Sequence, residues 1–300
     1  MKDIQHSDFS ITGALLKKEV IPVVKLGEPL TYAPWKFATI KGIVVRMHDL
    51  LTSSGRQFSP VFSEIEKAGG IQAGLDCPVP VLLSSVMSDK KIFNSTPEMY
   101  AHAIQRLKPD FFMTLDGETY LNEEYISKRE VNRVLLESEK IIAQCSNSVP
   151  IGLIKGATIS QLENSIESFQ RLGINQFVFH TGDYLADGDT NSILAASTFI
   201  RHIRKKCANL LLYGIGSRRY FRKFFNADGF ITMNHFINGF HRIKKIGGKE
   251  IRTHKKPTQE AIMENFCDIQ KGLFELNQES KGGLRKWAVE TVTAENLTQK

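Results

Sequence analysis

The sequence predicts a (β/α)8, TIM-like barrel carrying a helical C-terminal extension, on three observations. Short apolar runs alternate with helical patterns along most of the chain, as βα units on a parallel sheet do. The runs number about eight, which suits closure into a barrel. No Gly- or Pro-rich linker divides them, and no GxGxxG follows the first run, which weighs against the alternative, an open doubly wound sheet. At 300 residues and 42% hydrophobic, the chain is ample for one such unit. The expected boundaries are a barrel over residues 1–256 and a helical extension over 257–300, packed on it.

Taken in order, "IPVVKL" (21–26) and "GIVVRM" (42–47) read as strands. "SPVFSEIEKAGG" (59–70) reads as a helix closed by glycines, with "VPVLLSS" (79–85) the next strand. "TPEMYAHAIQRLKP" (96–109) opens on a Thr cap and stops at Pro109, before the strand "DFFMTLD" (110–116). A long amphipathic helix over 126–145 leads to "VPIGLIKG" (149–156). The helix over 158–173 carries Ser160 and Glu163 at capping-box spacing. "NQFVFHTG" (175–182), a helix over 192–207, "NLLLYGIG" (209–216), a helix over 217–226 and "GFITMN" (229–234) complete the alternation. Apolar residues at helical spacing in 258–280, then a short helix over 284–292, form the extension.

Composition excludes several classes of function. No apolar stretch approaches the roughly 18–20 residues that span a bilayer, and the N-terminal "MKDIQHSDFS" lacks a basic-then-apolar signal layout. A soluble, cytoplasmic chain without membrane association is expected. Cys77, Cys145, Cys207 and Cys267 form no CxxC pair, so neither a zinc site nor a disulfide framework is expected, and the thiols read as packing residues. The formal charge is +7, and "RHIRKKC", "GSRRYFRKFF" and "FHRIKKIGGKEIRTHKK" hold much of the excess. Aromatic and small polar residues interleave these clusters, which points to a phosphate-bearing partner over plain solvated helix faces.

Barrel active sites lie at the C-terminal ends of the strands. The polar residues there are Ser84 and Ser85, Asp116 with Glu118, Lys155 with Gly156, His180, Thr181 and Asp183, Tyr213 with Gly214 and Gly216, and Asn234 with His235. Asp228 falls just ahead of the last strand, either as a turn residue with Gly229 or as a nucleophile on the barrel lip.

The order of these segments resembles the tRNA-guanine transglycosylase superfamily over roughly residues 20–245. "AGGIQAGLDCPVPVLLSSVMS", "PDFFMTLDGETY", "VPIGLIKGATISQLENSIESFQRLGINQFVFHTG", "LLLYGIGSRRYF" and "NADGFITMNHFINGFHR" are similar, in sequence order, to that family's barrel segments. The resemblance implies base exchange, guanine leaving nucleic acid and a 7-deazaguanine such as preQ0 entering. Asp228 would be the nucleophile that attacks C1′ and forms a glycosyl-enzyme intermediate. Asp116 would read the base's N1–H and amine. Tyr213 and Gly214 would lie under the base plane, with Lys155, Gly156, Thr181 and Gly182 around its edge. Arg218, Arg219, His235, His241, Arg242, Lys244 and Lys245 would meet phosphates.

The chain departs from the family in two places. Ser84 and Ser85 stand where the family has its general-acid Asp, and the "CxCxxC…H" zinc element is absent. The second departure resembles the DNA-acting relatives, so DNA is favoured over tRNA. The resemblance implies no cofactor, and a homodimer or a protein partner is compatible with it. The alternatives are a non-catalytic nucleic-acid-binding subunit on the same barrel, and an unrelated phosphate-binding barrel enzyme using "YGIGSRR".

Overall fold

The structure is a computed structural model, and it describes residues 19–27, 33–185, 188–241, 243–246, 249–252 and 258–297. Strands β1 (Glu19–Val24), β2 (Ile43–Arg46), β3 (Val81–Ser84), β4 (Phe111–Met113), β5 (Val149–Ile154), β6 (Gln176–His180), β7 (Asn209–Tyr213) and β8 (Gly229–Thr232) run parallel and close into a barrel. Closure is made by β1 and β8, in the register Glu19↔Gly229 to Pro22↔Thr232. The expected fold class is therefore the observed one.

Helices α1 (Met47–Leu50), α2 (Pro60–Lys67), α3 (Ile71–Leu75), α4 (Asp89–Asn94), α5 (Pro97–Leu107), α6 (Glu124–Gln144) and α7 (Ile159–Arg171) lie among and after strands β2 to β5. Next come α8 (Gly182–Leu185), α9 (Thr190–Lys206), α10 (Arg218–Lys223) and α11 (Asn234–Phe240). The caps follow local chemistry. Thr96 accepts from the Met99 N–H with Pro97 at the first helical position, and Asp189 accepts from Ser192. At α7 the cap is Thr158, which accepts from the Gln161 N–H, and not the expected Ser160. The Gln161 carboxamide in turn accepts from the Ala157 N–H, so the box begins two residues earlier than the sequence spacing suggested.

Strand alternation divides the core in two. Ile21, Val23, Val44, Leu82, Phe111, Met113, Ile151, Leu153, Val178, Leu211, Tyr213 and Ile231 fill the barrel interior. Their neighbours one residue off, such as Val45, Leu83, Phe112, Phe179 and Phe230, face the helical ring. Beyond the barrel, β9 (Ile243–Ile246) and β10 (Lys249–Arg252) form an antiparallel hairpin within the basic stretch. The extension is one helix, α12 (Gln259–Leu297), where two were expected. Ile262, Met263, Phe266, Ile269, Leu273 and Leu276 form its buried stripe, and Asn265 donates to the Ile243 carbonyl, tying hairpin to helix. Among the described residues no helix is long and apolar enough to cross a membrane.

Candidate functional site at the barrel mouth

Two residues beyond the interior positions Val44, Leu82, Leu153 and Val178, and at Tyr213 itself, the side chains still point inward and the strands are ending. Those positions are Arg46, Ser84, Lys155, His180 and Tyr213. Five strands thus deliver five polar side chains to one ring at the C-terminal face.

Asp116 joins them just past β4. Lys155 Nζ lies 2.9 Å from Asp116 Oδ1, and both side chains are buried. The Gly117 N–H donates to the same oxygen at 2.9 Å. The other oxygen, Oδ2, faces the Met87 N–H at a long 3.4 Å. This carboxylate is anchored on one side and retains acceptor capacity on the other. It lines a cavity of about 290 Å3 with Lys155, His180, Asp89, Glu118 and Tyr120. The Tyr120 phenol is pushed up to about 12, by desolvation first and then by Asp89 and Glu118.

Across the mouth, Arg46 forks onto Asp49, Nε to Oδ2 at 3.2 Å and Nη2 to Oδ1 at 2.6 Å. Lys91 is buried and its ammonium donates to the carbonyls of His48 and Leu51, closing the C-terminal end of the one-turn α1. Burial, then Arg46 and Lys91, holds the His48 imidazole down at about 4. Tyr213 is pushed up to about 12 by burial, against the pull of Arg46 and of a hydrogen bond with Ser84. The His180 ring stands edge-on to Tyr213, centroids 5.3 Å apart. Arg46, His48, His180, Tyr213, Gly214, Ser217 and Asn234 line a second cavity of about 720 Å3.

Several expected site residues lie elsewhere. Asp228 stands at the N-terminal end of β8, away from the mouth. Arg204 binds its carboxylate with two bonds of 2.6 and 3.0 Å, and the Leu210 N–H donates to it at 2.8 Å. The expected nucleophile is therefore a structural carboxylate that ties α9 to β7 and β8. The inward positions of β8 nearer the mouth, Ile231 and Met233, are apolar. Ser85 turns outward, donating to the Thr114 carbonyl at 2.6 Å, because alternation puts it on the opposite side from Ser84. Thr181 is buried and donates to the Tyr213 carbonyl at 2.7 Å, a link between strands.

Gly156 (φ +158°) gives close packing instead of a base edge, since a Cβ there would come 2.8 Å from Gln161 Cβ and 3.0 Å from Leu162 N. Gly182 and Gly214 do line the larger cavity. Arg218 is taken up by Glu275 and Glu279 of α12, at 2.6 and 2.8 Å. His235 is fully buried against Phe266, and burial holds it down at about 3, which removes it from any phosphate. Arg219 and His241 are exposed, Arg219 lying over the Tyr220 ring. Arg242 lies outside the described residues, as do the side chains of Asp183, Lys244 and Lys245.

Sequence reasoning missed Arg46, His48 and Asp49. The signal was available: in "IVVRMHD" the first charged residue sits two positions past an inward valine. Among the described residues no cluster of His, Cys, Asp and Glu could hold a metal ion. No family model matches the chain, and no curated protein matches it.

Proposed function

We propose that this protein is a transglycosylase-like barrel that recognises a guanine-type base presented by nucleic acid, holding it at Asp116. The observation that carries this is the half-occupied carboxylate. Lys155 and Gly117 saturate Oδ1, Oδ2 carries a single long contact, and the residue lines the 290 Å3 cavity. A guanine or 7-deazaguanine base offers two adjacent N–H donors on its Watson–Crick edge, and the lone pairs of Oδ2 are there to accept from them. Adenine offers no such pair. The exposed Arg219 and Arg252 supply charge for a phosphate backbone, and DNA is the favoured polymer, encountered in the cytoplasm.

Base exchange through Asp228 is not part of this reading. Its carboxylate is committed to Arg204 at the far end of the barrel. At the mouth, the Asp116 carboxylate is held by Lys155, and the Asp49 carboxylate behind it by Arg46. Recognition is thus better supported than chemistry, in line with a non-catalytic or partner-dependent barrel.

The test is calorimetric titration with guanine, 7-deazaguanine and adenine, beside radiolabelled guanine incubated with DNA and with tRNA. The expected result is binding of the first two over adenine, lost at least tenfold in Asp116→Asn, with no label entering either polymer. Equal binding of adenine would overturn the base assignment. Label entering DNA or tRNA, abolished by Asp228→Asn, would restore the exchange reaction.

A further inference from the structure

The two mouth cavities share Met87 and His180 as walls, yet their charges oppose. Asp89, Asp116 and Glu118 line the smaller one against a single Lys155. Arg46 lines the larger one with the neutral His48 and with Ser217, Asn234 and Asn238, and among the described residues no carboxylate does. Asp49 neutralises Arg46 only from behind. The Asp49 side chain is 3% exposed and stays out of the cavity lining, whereas Arg46 is 17% exposed and forms part of it. Asp49 accepts from two of the three guanidinium nitrogens, and a guanidinium has five N–H donors, so donors remain for an anion. Burial first, then Arg46 and Lys91, depress the His48 imidazole beside it, with Asp49 acting the other way.

A ligand that spans both cavities therefore has a donor-rich end at Asp116 and an anionic end at Arg46. Resting on the base-binding reading above, we propose that the larger cavity is an anion subsite built on Arg46. It seats a phosphate carried by the sugar of the bound base, so that the ligand is a nucleotide and not a free base. A bidentate contact between guanidinium and phosphate fits this geometry, and the low exposure of Arg46 limits screening by salt. The phosphate is either the monoester of a free nucleotide or a diester of a polymer, which the experiment separates.

Titrate the full chain with guanine, guanosine, guanosine 5′-monophosphate, ribose 5-phosphate and a short guanine-containing DNA oligonucleotide. The 5′-monophosphate is expected to bind at least tenfold more tightly than guanosine. That advantage should vanish in the paired variant Arg46→Met with Asp49→Leu, which removes both members of the ion pair, and persist in Asp116→Asn. Arg46→Lys, retaining charge without the fork, should recover part of it. An oligonucleotide with the same Arg46-dependent advantage identifies the diester as the source; an advantage confined to the monophosphate identifies a free nucleotide. Equal affinity for guanosine and its monophosphate, or an advantage indifferent to Arg46, would overturn the subsite. Ribose 5-phosphate bound through Arg46 while guanine fails to bind would keep the subsite and remove the base reading. Guanine bound through Asp116 with no phosphate advantage would do the reverse.

Discussion

Arg204 and Asp228 clamp the end of the barrel opposite its mouth, with paired bonds of 2.6 and 3.0 Å from guanidinium to carboxylate. The same carboxylate accepts the Leu210 N–H at 2.8 Å, so one side chain fixes the last turn of α9 and the start of β7 to the start of β8. A charge pair at the bottom of a barrel strand serves stability, since chemistry is staged at the other face.

Asp228→Asn should therefore lower stability by about 1–3 kcal/mol, the usual cost of losing hydrogen bonds to a charged group. Ligand binding at the mouth should not change. Urea unfolding alongside titration of the variant separates the two, and a folded, equally stable variant with lost binding would contradict this placement.

The Lys155–Asp116 pair is buried, so removing one partner strands the other. Lys155→Met alone should cost about 3–5 kcal/mol, and the paired change with Asp116→Leu should recover most of that. The double-mutant cycle, measured by chemical denaturation, gives the coupling; additive effects would show that the two charges do not depend on each other.

Burial holds His235 at about 3 in the folded protein, against about 6.5 unfolded. Between those values the unfolded chain takes up a proton that the native one refuses, so stability falls as pH drops from about 6.5 towards 3. The loss approaches roughly 3–5 kcal/mol at the acid end. His235→Leu, similar in bulk and unable to titrate, should flatten that part of the stability profile. An unchanged slope would place the acid sensitivity elsewhere.

Lys91 reaches from α4 to two carbonyls at the end of α1, the turn that carries His48 and Asp49. Lys91→Met leaves both carbonyls without this donor and should cost about 1–3 kcal/mol. Because α1 follows Arg46 directly, binding of an anion at the mouth should weaken as well. Competition with inorganic phosphate measures it, and full retention of phosphate binding would confine Lys91 to a structural part.

Gly214 holds φ +98° where β7 ends, and a Cβ there would come 3.0 Å from Gly182 N. Gly214→Ala should cost about 1–3 kcal/mol through backbone strain and displace α8 at the cavity edge. Thermal melting and guanosine titration should both worsen; an Ala variant as stable as the parent would show that this backbone tolerates a side chain.

The strands, most of the long helices and the closed barrel were legible because each depends on a local pattern: period two or 3.6, a Thr-Pro cap, a run of apolar residues. So was a good part of the mouth, since Ser84, Asp116, Lys155, His180 and Tyr213 all stand where apolar runs end. Most of the shortest helices, the β9–β10 hairpin and the continuity of α12 were not, because such elements draw on partners distant in sequence, as Asn265 does at Ile243.

What the sequence determined by itself is the alternation that makes eight strands and marks their polar ends. Tertiary structure decided which of those polar residues share a space. Parity sends Ser84 inward and Ser85 outward, and chain direction puts Asp228 at the start of its strand, beside Arg204. Arg46 and Asp116 are 70 residues apart in sequence, yet closure of the barrel brings their two cavities to a common wall at Met87 and His180. A carboxylate's role follows from the charge beside it, and only closure of the barrel sets that neighbour.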